Sequence, residues 1–122
     1  DFGDWVGKTY DEAQKLFGDT YNQFWLAPVS EKPPNGESFL EVIERVQTCV
    51  RELTLKFKGK DVVCVAHGGS IRAALALALG LNGDQAISFS IDNLSTTVID
   101  YIHPENGFYG GWRVRGTNLP SV

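Results

Sequence analysis

The apolar positions follow a helical rhythm in one long stretch and then close up into a continuous run. Phe39, Ile43, Val46, Val50, Leu53 and Phe57 recur at alternating steps of four and three, which makes one apolar stripe along an α-helix. Glu41, Glu44, Gln47, Arg51 and Glu52 face away from it. Ser38 and Glu41 have capping-box spacing at its start, and Gly59 ends it. The next stretch, "DVVCVA" (61–66), is apolar at odd and even positions alike. Such a run predicts a strand covered on both faces, as in a parallel sheet between helix layers. A helix is expected from Ser70 to Leu79, with Ser70 as its N-cap and Gly80 as its C-cap.

Weaker patterns flank this centre. Residues 1–8 form a glycine-punctuated loop. Thr9 can cap a helix over 10–17, with Asp11 and Glu12 in the first turn, where acidic side chains complement the helix dipole, and Gly18 closing it. Residues 19–26, with Tyr21, Phe24 and Trp25, read as a second short helix. Three prolines and a glycine in 27–36 exclude regular structure there. The tail offers strands at 86–92, 95–102 and 111–116, the last two separated by the turn "HPENG". Helices alternating with strands predict a layered α/β domain over residues 1–122.

Composition narrows the function classes. The chain has 122 residues, 43% hydrophobic and 21% charged, with a net charge of -4. That is enough length for one core. No basic stripe points to nucleic acid, and no cationic amphipathic face points to a membrane surface. The longest apolar run, Ala73 to Leu79, is far shorter than the roughly 20 residues of a transmembrane helix. Cys49 and Cys64 lie within apolar patterns and read as buried thiols of a reducing, cytoplasmic compartment. Two Cys and two His at scattered spacing make no zinc pattern. Neither a G-x-G-x-x-G after a strand nor a P-loop is present, which argues against a nucleotide-binding domain. The chain contains no Met and opens inside a loop, "DFGDW", so an N-terminally incomplete domain is expected.

The candidate chemistry lies in "VCVAHGGSIRAAL" (63–75). A strand ending in His67, followed by Gly68, Gly69 and a helix, places the histidine at the carboxyl edge of the sheet, where open α/β folds bind ligands. The glycines allow close backbone approach, and the free N–H groups of the helix start suit an anion. Ser70 can add a hydroxyl. A histidine there can bond phosphate oxygens and exchange a proton near neutral pH. A purely structural histidine at a strand end is the competing reading.

These residues resemble the second histidine motif of the histidine phosphatase superfamily, the phosphoglycerate-mutase-like proteins. "DFGDWVGKTYDEA" resembles that family's E-x-x-F-G-x-W-E-G loop, "PPNGESFLEVIERV" its P-x-G-E-S…R segment, and "STTVIDY" a later strand. All four occur in family order. The resemblance implies a three-layer αβα sandwich with a mostly parallel sheet. It also implies phosphoryl transfer through a phosphohistidine, without metal or other cofactor, on a small phosphorylated metabolite. It assigns His67 to stabilising phosphoryl charge, and Gly68, Gly69, Ser70 and Glu37 to phosphate or substrate binding. Ser38 fits a helix cap. Arg45 fits a structural salt bridge as well as a functional role, and Arg72, one turn past His67, fits a structural role. Phe2, Trp5 and Asn118 are expected to line the pocket. The compact loop resembles the small-phosphatase branch: α-ribazole-phosphate phosphatases, fructose-2,6-bisphosphatase-like or broad-specificity enzymes. A non-catalytic, phosphate-binding remnant of the fold is the alternative.

The departures are as informative. No Arg-His-Gly occurs in these residues. The remaining histidine, His103, precedes Pro104 in a turn and reads as an exposed turn residue. The family's acidic residue before its loop would fall upstream of Asp1, and Val6 stands where Glu is common. In the family the first strand adjoins the His67 strand. Without it, 61–66 would be left with an unpaired edge, and self-association, as a dimer, is expected.

Overall fold

The computed structural model describes residues 1–105 and 109–121. Its elements are a 3-10 turn at Gly3–Trp5, helices α1 (Tyr10–Phe17), α2 (Asp19–Leu26), α3 (Phe39–Lys56), α4 (Gly68–Leu79) and α5 (Gly83–Ile87), and strands β1 (Thr96–Ile102) and β2 (Gly111–Leu119). They group into two compact units, residues 1–42 and 43–122.

In the first unit, Thr9 Oγ1 accepts from the Glu12 N–H at 3.2 Å, and Glu12 Oε2 accepts from the Thr9 N–H at 2.8 Å. This reciprocal box starts α1 as expected. The same device starts α3: Glu41 Oε2 accepts from the Ser38 N–H at 2.8 Å, and Ser38 Oγ from the Glu41 N–H at 3.1 Å. The core is aromatic. Trp5, Ala13 and Phe24 are buried, with Phe17 and Tyr21 packed against them. Trp5 meets Phe24 edge to face at 5.1 Å between centroids and Tyr21 at 5.1 Å. Burying one such ring stabilises by roughly 1.5–3 kcal/mol. The 3-10 turn is tied to the proline loop, because the Asp4 N–H donates to the Pro34 carbonyl at 2.9 Å and the Glu37 N–H to the Asp1 carbonyl at 2.9 Å.

In the second unit, β1 and β2 form an antiparallel pair with Ile99 opposite Val114 and Tyr101 opposite Trp112. The register shifts between Thr96 and Val98 and again between Val98 and Ile99. Helix α4 packs on this hairpin and on α5, burying Ala73, Leu75 and Ala76 together with Ala86 of α5. Among the described residues no helix is long and apolar enough to cross a membrane.

Several expectations change. Residues 86–92 form no strand. The Asn82 side chain accepts from the Gln85 N–H, and Gln85 Oε1 from the Asn82 N–H, a capping box that commits 83–87 to α5. Beyond it, local bonds such as Ser88 Oγ to the Gln85 carbonyl hold the chain in turns. Residues 61–66 have no regular secondary structure, and among the described residues β1 and β2 make the only strand pair. A strand exists only where a neighbour takes up its backbone hydrogen bonds, and among the described residues none bonds to 61–66. The α/β character stands; among the described residues the sheet is the antiparallel β1–β2 pair. Cys49 and Cys64 are exposed, not buried, because Cys49 lies off the stripe of α3 and Cys64 lies in the uncovered 61–66 segment. The expected "HPENG" turn falls partly outside the described residues.

Candidate functional site at the start of helix α4

His67 is the N-cap of α4, with extended backbone (φ -87, ψ 159). The first intrahelical bond runs from the Ile71 N–H to the His67 carbonyl at 3.0 Å. The N–H groups of Gly68, Gly69 and Ser70 precede that bond and point out of the helix start. Ser70 is therefore the third residue of the helix and not its cap. The extended backbone that a cap requires is reached already at His67, because helical geometry begins with the two glycines. The His67 side chain makes no capping hydrogen bond and is exposed, whereas Gly68, Gly69 and Ser70 are half-buried. The arrangement presents three N–H donors at the positive end of a twelve-residue helix beside an imidazole. Its chemistry is anion binding with an adjacent proton donor or acceptor.

The element behind this turn was only partly anticipated. Arg72 Nε donates to the Phe89 carbonyl at 2.7 Å, which ties α4 to the turn after α5. A Cβ placed on Gly68 would lie 3.1 Å from Arg72 Nη1 and 3.6 Å from the Ile91 Cβ. The first glycine is thus small because a guanidinium and an isoleucine occupy the space behind it. Arg72 stands four residues after Gly68, the one-turn spacing that brings side chains together on a helix; that spacing was the available signal.

The other expected residues have separate surroundings. Glu37 belongs to the first unit, where its N–H donates to the Asp1 carbonyl at 2.9 Å. Ser38 is a buried cap. Phe2 and Trp5 line a cavity of about 340 Å³ with Tyr10, Tyr21 and Trp25. Asn118 lines a smaller cavity of about 180 Å³ with Asp92–Ser95. There its Oδ1 accepts from the Asp92 N–H at 2.7 Å and its Nδ2 donates to Asp92 Oδ2 at 3.2 Å. His67 lines neither cavity. His103 is half-buried and stacks edge-on against Tyr101 at 4.8 Å. It is a packed residue and not the exposed turn residue expected from Pro104.

A family model described as the histidine phosphatase superfamily (branch 1) matches residues 1–113. A phosphoglycerate mutase of Schizosaccharomyces pombe is 36% identical over 88 residues, which are 70% of this chain and 42% of that protein. A 2,3-bisphosphoglycerate-dependent phosphoglycerate mutase of Chelativorans sp. is 32% identical over 93 residues, 75% of this chain and 45% of that protein. Among solved structures, YhfR of Bacillus stearothermophilus superposes with a TM-score of 0.80 at 28% identity, over 98% of this chain and 56% of that one. A mycobacterial glucosyl-3-phosphoglycerate phosphatase superposes with a TM-score of 0.70 at 28% identity, over 97% of this chain and 59% of that one. The chain thus spans less than half the length of the two mutases it matches.

Proposed function

The chain belongs to the histidine phosphatase superfamily, and from that premise we propose that it is the portion of a phosphoryl-transfer enzyme that stabilises phosphoryl charge. The observation that carries this reading is His67 capping α4, with three free N–H groups following it. In the complete reaction a histidine outside these residues attacks phosphorus, so that an N–P bond forms as the ester O–P bond breaks. The leaving oxygen takes a proton from an acid. Water then attacks the phosphohistidine and releases phosphate, or a second hydroxyl accepts the group. Charge grows on the non-bridging oxygens during both steps. His67 donates a hydrogen bond to one of them, and the N–H groups of Gly68, Gly69 and Ser70 offer fixed donors to the others. For Glu37 the support is the Gly-Glu-Ser resemblance alone.

The substrate in this reading is a small phosphorylated metabolite. Phosphatase and mutase outcomes both have relatives by name. They differ in whether water or a hydroxyl accepts the phosphoryl group. The mostly parallel, three-layer sandwich belongs to this proposal, as do the cytoplasmic setting and the lack of any cofactor. Two exposed free thiols fit a reducing compartment.

The test uses the 122-residue chain, isotopically labelled, titrated with orthovanadate. Amide shifts at Gly68–Ser70 and ring shifts at His67, abolished by His67→Ala, are expected. Shifts confined elsewhere, or unchanged by His67→Ala, would sink the reading. These residues alone are also expected to release no nitrophenol from p-nitrophenyl phosphate above background, because His67 and the packed His103 are their only histidines. Acid-labile phosphohistidine on His67 would overturn the assignment of its role. A remnant that binds phosphate without turnover is the second reading, favoured by the lack of an Arg-His-Gly in the chain; it is separated from the first by turnover of the full-length gene product.

A further inference from the structure

The side chain that backs the first glycine of α4 is a cation, and it stands where a cation is unfavourable. Side chains on a helix lean toward its N-terminus, so Arg72 reaches back over the turn that begins at Gly68. Arg72 is half-buried. Its Nε is anchored on the Phe89 carbonyl, and its Nη1 lies 3.1 Å from the point a Gly68 Cβ would take. Ile91 borders the same space, with its Cβ at 3.6 Å and its Cγ2 at 3.8 Å. A helix start is already positive, and cations are favoured at the opposite end. No acidic residue stands in the first turn of α4. Among the described residues Arg72 has no ion pair, and its Nη groups have no hydrogen-bond partner. A half-buried guanidinium is therefore left without an anion, one turn from three free N–H groups.

An anion bound at the helix start would offset both positive charges at once. Resting on the phosphoryl-binding reading above, we propose that Arg72 is a positioning residue of that site. It acts through Gly68, not by contact with the phosphoryl group. The guanidinium and Ile91 fill the space against Gly68 and hold its peptide, so that the Gly68 N–H keeps its aim at an oxyanion. The charge behind that peptide raises the affinity for the same oxyanion. Lysine would not serve both ends, because its ammonium is a single point charge. The guanidinium fork gives Nε to Phe89 and still keeps charge at Gly68. Glycine at 68 is part of the device, since a Cβ there would displace the Nη1 end.

The test titrates the 122-residue chain with inorganic phosphate at low and at high salt, following the Gly68–Ser70 amides. Arg72→Met, folded by circular dichroism, is expected to weaken binding about tenfold, the order of one charge at a partly buried site. The difference between the two salt concentrations should shrink as well, because one attracting charge has gone. Arg72→Lys keeps the charge and should recover part of the affinity and most of the salt dependence. Both variants lose the bond from Nε to Phe89. A merely structural arginine would therefore weaken binding equally in both and leave the salt dependence unchanged, and that pattern overturns the proposal. A further measurement needs no variant: the Arg72 Nε–H signal of the unsubstituted chain should shift at phosphate saturation, and a signal that stays in place overturns the proposal too. Phosphate bound equally well by the unsubstituted chain and by Arg72→Met removes the role of Arg72 and leaves the phosphoryl reading standing. No shift at Gly68–Ser70 in the unsubstituted chain removes both.

Discussion

Gly3 has φ +52, and a Cβ there would fall 2.2 Å from the Pro34 carbonyl oxygen and 2.4 Å from the Gly36 nitrogen. Both neighbours are backbone, so neither can swing aside. Gly3→Ala is expected to cost about 3 kcal/mol or more, by adding a left-handed conformation to a clash. Urea unfolding followed by tryptophan fluorescence reports it directly, because Trp5 lies two residues away in the aromatic core; an unchanged midpoint would remove the argument. Gly68 is a milder case. Its obstacle is the end of the Arg72 side chain at 3.1 Å, which is anchored through Nε to Phe89. At this scale the sequence was a good guide wherever a residue's role depends on its own chain neighbours. Thr9, Ser38 and Gly80 stand at helix ends as their spacing implied, with Gly80 in the left-handed conformation (φ 65), whereas the cap of α4 is His67 and not the expected Ser70. It was a poor guide where the role depends on distant neighbours. Nothing in "YIHPEN" signals that His103 will stack on Tyr101, and nothing local to Asn118 signals its two bonds to Asp92.

The helices begin with reciprocal caps, and this has a consequence for acid stability. The Glu12 carboxyl is held below its ordinary value first by the Thr9 backbone N–H and then by the Thr9 side chain. Glu41 is lowered first by the Ser38 backbone N–H and then by Lys32, whose Nζ lies 3.2 Å from its Oε1. A depressed folded-state pKa means that the unfolded chain binds the proton more tightly. The contribution is therefore complete above the ordinary carboxylate range, near pH ~4.3, and is lost as pH falls through the lower folded value. Helical circular dichroism during urea unfolding should show stability dropping below that range. The Glu12→Gln, Glu41→Gln double variant retains a capping acceptor but should show a flatter acid limb; an identical limb would refute the assignment. Elements built on helical periodicity and caps were legible in the sequence for this reason: their hydrogen bonds close within a few residues. The 61–66 run and the 86–92 stretch are not strands among the described residues, because strand formation is decided by what lies alongside, and α5 prevails over the second through the Asn82–Gln85 box.

Across the molecule, large apolar side chains remain on the surface, including Val63, Val65, Leu26 and Leu94, the last two each 86% exposed. Exposed apolar surface of this extent is expected to bind anilinonaphthalene sulfonate in the native state, with fluorescence lowered by the Val63→Thr, Val65→Thr pair. Equal fluorescence in that variant would locate the dye elsewhere. The same surface separates what each level of description decided. The sequence by itself determined helices α1 to α4, the reciprocal caps of α1 and α3, the family motifs and the histidine just ahead of α4, because each is encoded in short-range spacing. Only the tertiary structure decided that 61–66 forms no strand among the described residues, that Cys64 is exposed, that Arg72 backs Gly68, and that Phe2, Trp5 and Asn118 line the cavities they do. Those outcomes depend on which backbone and side chains come to lie against one another, and local patterning carries no record of that.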